Sequence, residues 1–170
     1  MSTPTTTGEA TGRQRSRMSN PLPHIPEVTD IARSLHKMVH NGSLPQATIG
    51  LVHLRVGQLV GSSYFALAQA DGLREAGESE ERVTAVATWR DAPCFSEAER
   101  VALELAEAVL TPNPSGERVP DELYARAAAL YDTKALWTLV AAIGSIGFFT
   151  PAALIAKPIP GLPPGRNYTD

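Results

Sequence analysis

Residues 50–71 read GLVHLRVGQLVGSSYFALAQAD, and this stretch gathers most of the side chains that could do chemistry. His53 is a candidate general base, because imidazole exchanges its proton near neutral pH. A histidine that only packs between helices is the alternative. Ser62, Ser63 and Tyr64 bring three hydroxyls to a predicted helix start, where free N–H groups and the helix dipole favour an enolate, carboxylate or alkoxide. Ser62 and Tyr64 are therefore catalytic candidates beside His53, with Tyr64 as an acid and Ser63 as a substrate contact. The simpler reading makes Ser62 a helix cap and Ser63 a solvated neighbour. A Ser62–His53 nucleophile pair would need an Asp to orient the imidazole, and none is obviously placed.

Phe65 follows Ser62 by three residues and Gln69 follows Phe65 by four, so the three share a helix face. Phe65 offers apolar surface to a substrate, and Gln69 offers a hydrogen bond but no proton shuttle. Gly50 and Gly57 lie seven apart, with Gly61 four further on, forming one stripe. Glycine within a helix costs on the order of 1 kcal/mol against alanine, so the stripe implies close helix contact or room for a ligand. His36 and His40 have the i, i+4 spacing of a metal pair, but no acidic third ligand accompanies them, and a solvated face is the preferred reading. No metal site and no cofactor are predicted. Arg55 reads as an ion-pair partner for a carboxylate on a neighbouring helix.

These residues must be positioned by helices, because no convincing alternating run argues for strands. The apolar spacing predicts helices over 27–40, ended by Asn41-Gly42, over 46–60, and from the Ser62 cap to Gly77. Ser79 caps a helix carrying Val83, Val86 and Trp89. Ser96 and Glu99 form a capping box opening the next helix. Residues 111–120, TPNPSGERVP, are a loop, Pro120 starts a helix through Leu130, and Asp132 or Thr133 caps a long apolar helix.

That last helix is uncharged over residues 135–156 and about long enough to cross a bilayer. Gly144, Gly147 and the Thr150-Pro151 break divide it, and the expectation is a core helix covered on all sides, with no membrane span. The whole is one all-α domain of six to seven helices over 26–157. An N-terminal arm (1–25), without the apolar stretch of a signal peptide, and a Pro-rich tail (158–170) flank it as loose ends.

The chain has 170 residues, enough for one real core, and a net charge of −3 with no basic stripe, which argues against nucleic acid. Cys94 is the only cysteine, so an intramolecular disulfide or CxxC pair is impossible. A reducing cytoplasm fits.

The run Leu54-Arg55, Gln58, Gly61, with the later Trp89-Arg90-Asp91-Ala92-Pro93 and Phe95-Ser96-Glu97, resembles the alkylhydroperoxidase D-like and carboxymuconolactone decarboxylase superfamily over roughly 27–157. In redox members of that family a Glu, a Cys-x-x-Cys and a His form a proton-relayed dithiol. By resemblance the Glu falls on Gly50, the cysteines on Ser62 and Phe65, and the His on Gln69. Peroxide reduction by that route needs a thiolate and a resolving thiol, so it is excluded. Because the family uses this face for its site, the resemblance favours an enlarged pocket at Gly50 and Gly57.

The resemblance implies a cofactor-free, non-redox enzyme of acid/base chemistry, acting through an enolate on a small apolar carbonyl acid or lactone by decarboxylation, isomerisation or cyclisation. Secondary metabolism is a sensible setting. The alternatives are a catalytically dead ligand-binding or scaffold protein and, more remotely, a peroxidase-like role through Cys94. The resemblance also implies a homo-oligomer, a trimer or hexamer, with the uncharged final helix at an apolar interface.

Overall fold

The computed structural model describes residues 15–114 and 116–169, and residues 1–14 of the expected N-terminal arm lie outside them. Among the described residues the chain is helical without strands: α1 Val28–Val39, α2 Gln46–Leu59, α3 Ser63–Glu75, α4 Glu80–Ala85, a 3-10 turn Val86–Thr88, α5 Glu97–Leu110, α6 Asp121–Leu130 and α7 Thr133–Ile155.

α2 is the axis of the fold, packing against α3, α5 and α7. It carries its apolar residues all round, with Ile49, Leu51, Val52, Leu54 and Val56 all buried, because neighbours cover every side. The core divides accordingly. One cluster joins α2 to α7 through Val52, Val56 and Leu139, and another joins it to α3 and α5 through Leu51, Leu73 and Leu103.

The α2–α3 turn follows from local chemistry. Gly61 adopts φ +69°, a conformation that favours glycine, and Ser62 caps α3 by accepting from Phe65 N at 3.4 Å. α3 ends in a Schellman motif: Gly77 at φ +90° lets Glu78 N reach Leu73 O at 3.0 Å. Ser96 and Glu99 form the expected reciprocal capping box.

Four expectations change. The helix from Ser79 does not run through Trp89, because it tightens into the 3-10 turn and frees the Trp89, Arg90 and Ala92 carbonyls for the Arg100 guanidinium. α7, capped by Asp132, continues through Pro151 without dividing. Thr150 Oγ1 donates to Ile146 O at 2.7 Å beside the missing proline N–H. Nor is α7 covered on all sides, since Trp137, Val140 and Phe148 stand exposed. The ends are not loose where they are described. Asn167 is 3% exposed, donates to the Tyr64 hydroxyl at 2.9 Å and receives Ile159 N on its carbonyl. Ser16 and Thr169 bond each other, and Arg17 N donates to Ala156 O at 2.7 Å.

Candidate active site

A cavity of about 310 Å³ lies between α1, α2, α3 and α7. Leu35 and Val39 form its α1 wall, Ile49 its α2 floor, and Ile146 and Phe149 its α7 side. Its polar groups are His36, His40, Gln46, His53, Gln69 and Ser145, with no carboxylate, lysine or arginine among the lining residues.

His53 sits inside this apolar frame, 9% exposed. Burial, and then the nearby His40, push its imidazole down to about 4, outweighing the Ala142 carbonyl and the Gln69 side chain, which favour the charged form. The ring is therefore neutral at neutral pH. Ser145 Oγ lies 3.4 Å from His53 Nε2 and donates its own proton to Ala142 O at 2.8 Å. With that proton committed, Ser145 is best suited to accept from His53 Nε2–H, which leaves Nδ1 as the basic nitrogen.

At the mouth, His36 and His40 stack with ring centroids 4.0 Å apart. His40 Nδ1 lies 3.0 Å from His36 O and its Nε2 lies 3.1 Å from Gln46 Nε2. Both rings are solvent-exposed as expected, yet they border the cavity. Among the described residues no group of three or more His, Cys, Asp or Glu is placed to hold a metal ion.

The sequence candidates separate. His53, Gln69 and Gly50 border the cavity, whereas Ser62, Ser63, Tyr64, Phe65 and Gly57 do not. Ser62 is buried and engaged as the α3 cap, and Ser63 is exposed. Tyr64 is taken by Asn167, and burial, then Tyr168, raise its pKa against that bond. Phe65 belongs to the α2–α7 core cluster.

The glycines serve contact more than space. A Cβ on Gly57 would lie 3.0 Å from Ala66 N and Phe65 Cβ, and one on Gly50 would lie 2.6 Å from Leu73 Cδ2. Gly50 borders the cavity as well, but the Cβ it lacks would meet Leu73, so at both glycines the helix contact accounts for the residue.

Sequence reasoning missed Ser145, Gln46, Ile146 and Phe149. Ser145 had a signal: it and Thr138 are hydroxyls seven residues apart on a mostly apolar helix. Thr138 Oγ1 meets Asn41 Nδ2 and Ser43 Oγ, each at 2.8 Å, and so pins the α1–α2 connection onto α7.

Away from the cavity, Arg55 finds the expected carboxylate. Glu107 on α5 accepts from Arg55 Nε and Trp89 Nε1, each at 2.8 Å, and from Arg90. Burial opposes the charge, yet these donors together hold the Glu107 carboxyl below its ordinary pKa. Cys94 is half-buried beside the α2–α3–α5 cluster and does not border the cavity.

A helical shell wound round the α2–α3 hairpin, with a histidine-based cavity beside it, defines the class of protein. The carboxymuconolactone decarboxylase family profile matches residues 26–108. The uncharacterized protein YdfG of Bacillus subtilis (strain 168) is 34% identical over 121 residues, covering 71% of this chain and 81% of YdfG. This chain belongs to that family. The uncharacterized protein YnjA of Escherichia coli (strain K12) is 38% identical over 94 residues, 55% of this chain and half of YnjA.

Two solved structures share the fold. One is a protein of unknown function from Agrobacterium tumefaciens with a suggested role in AhpD-type antioxidant defence (TM-score 0.77, 23% identity, 88% of this chain and all of that one). The other is the debrominase Bmp8, a variant of which was solved with 2,3,4-tribromopyrrole (TM-score 0.70, 19% identity, 80% of this chain and 72% of that one).

Proposed function

We propose that the chain is a non-redox, cofactor-independent enzyme that moves a proton on a small, largely apolar carbonyl acid or lactone, with His53 as the proton carrier. The observation that carries this reading is a neutral, hydrogen-bonded imidazole buried in an apolar cavity with an amide and a hydroxyl beside it. A volume of about 310 Å³ suits a small ligand and stands at the lower end for small-molecule sites. The halogenated pyrrole bound by the debrominase that shares the fold is a ligand of comparably small size.

A base with a conjugate acid near 4 is weak, so enolate formation, the step that isomerisation and decarboxylation share, requires the bound substrate to restore the basicity of His53. An anionic substrate would strengthen the base, since a negative charge beside His53 favours imidazolium. Ser145 holds the ring and Gln69 offers an amide to the substrate. Ser62 and Tyr64 act as structural residues at the hairpin turn.

The test is proton–deuterium exchange at the α-carbon of 2-oxo acids, 3-oxo acids and unsaturated lactones in D2O, followed by NMR. Wild-type protein should accelerate exchange for at least one compound class, and His53→Gln should abolish it. Equal exchange by both proteins would overturn the assignment of His53. Binding without exchange would identify the ligand-binding, non-catalytic protein instead.

A further inference from the structure

The mouth of the cavity holds polar groups that proton transfer at His53 does not use. His36 and His40 stack there at the C-terminal end of α1, and Gln46 opens α2 within reach of His40. All three side chains are exposed, whereas Val39, Ile49 and Ile146 are buried along the cavity walls. A ligand that enters puts its apolar part against those walls and leaves a charged end at the mouth, where water still reaches it. Three imidazoles are the only lining groups able to carry positive charge, and two of them are committed. His53 is buried with its Nε2 against Ser145 Oγ, and both ring nitrogens of His40 lie within hydrogen-bonding distance of protein atoms. Among the described residues the His36 ring makes only its stack on His40, which leaves both of its nitrogens for a ligand.

We infer that His36 anchors a carboxylate: the ligand of this cavity is a monocarboxylic acid whose acid group sits at the mouth against the His36 ring, with the Gln46 amide as second donor and the rest of the molecule reaching inward to His53 and Gln69. The inference rests on the reading of this cavity as the reactive site, and it narrows the substrates from acids or lactones to acids. His36 lies in the last turn of α1, where the negative end of the helix favours a cation on the imidazole. α2 begins nearby with no acidic side chain in its first turn, and none borders the cavity, so no lining group repels an anion. One imidazole and one amide match a single negative charge. With no lysine or arginine in the lining, a phosphate dianion would be left short of charged donors.

The placement also serves the chemistry. Charge on His40 is felt at His53 and opposes its protonation, and a carboxylate beside the His36–His40 stack offsets that charge. The anchored acid thereby returns part of the basicity that burial removes from His53.

Ligand-observed NMR titration of the full chain tests the proposal with linear and branched acids of about four to eight carbons, with and without a 2-oxo group, each beside its primary amide. At least one acid should bind, and roughly 10-fold or more tightly than its amide. His36→Phe keeps a ring on the stack and removes both nitrogens. It should weaken the acid by roughly 10- to 100-fold and leave the amide unchanged. Gln46→Glu should weaken the acid through like charge, and His53→Gln should preserve the preference for acid over amide. Circular dichroism should show the variants folded. Equal binding of acid and amide, no binding by any acid, or a preference that survives His36→Phe would overturn the anchor. The exchange assay separates the two readings. Acid preference without exchange keeps the anchor and removes the catalytic role of His53, and exchange without acid preference does the reverse.

Discussion

The two halves of the α2–α3 hairpin have the same backbone arrangement and opposite fates. At the turn, Gly57 lets α2 close on the Phe65–Ala66 backbone, Ser62 is spent on capping, and Asn167 from the C-terminal segment donates to the Tyr64 hydroxyl. Towards the other end, Gly50, His53 and Gln69 border open space. By the family resemblance, the turn half holds the two positions where redox members carry sulfur, and the open half holds the two where they carry Glu and His. The turn half is packed core, and the open half borders a cavity that holds the imidazole of His53.

The contrast predicts effects of different kinds at the two ends. His53→Gln should lower turnover of any substrate found by the exchange screen by roughly 100- to 10,000-fold, with melting temperature little changed. A comparable loss from Ser62→Ala would place the chemistry at the turn instead.

Next in size is acid sensitivity. The folded pKa of His53, about 4, lies below its ordinary 6.5, so the unfolded chain binds the extra proton between those values. The stability from keeping His53 neutral is full above about pH 6.5 and falls, by up to roughly 3 kcal/mol, as pH drops towards 4. Urea melts at a series of pH values should show this slope in the wild type and lose it in His53→Gln.

At the closed half, Gly57→Leu should cost roughly 3 kcal/mol, because its side chain would meet backbone rather than a movable side-chain end. Denaturant unfolding measures it, and a neutral result would mean that the helices cross less tightly than the structure has them. The smallest effects are those of Ser62→Ala and Asn167→Ala, each about 1 kcal/mol from a lost cap or hydrogen bond. Ligand affinity measured by calorimetry should be unchanged in Ser62→Ala, and a changed affinity would join the two halves into one site.

Much of the local architecture was legible because it is written in neighbouring residues. The Ser62 cap, the Gly77 terminator and the Ser96–Glu99 capping box each need only a short span of chain. The demand of Arg55 for a carboxylate was legible in kind, but its answer, Glu107, lies 52 residues away on α5. The cavity was legible in part. His53, Gln69 and Gly50 fall within one hairpin, whereas Ser145 joins His53 across a separation of 92 residues. The His36–His40 pair is solvated as its spacing suggests, but a helical repeat records a face and not the cavity that stands beyond it.

The sequence by itself determined the helical hairpin, its caps, the absence of a dithiol and hence the exclusion of peroxide reduction by an intramolecular dithiol, because these depend on residue identity and on spacings within a turn or two. Tertiary structure alone decided which of the candidate hydroxyls and imidazoles share a cavity. It also decided that His53 is neutral and that α7 runs unbroken with one apolar face in solvent. Burial sets the free energy of a charge and the surroundings of a helix face, and burial is a property of the assembled chain.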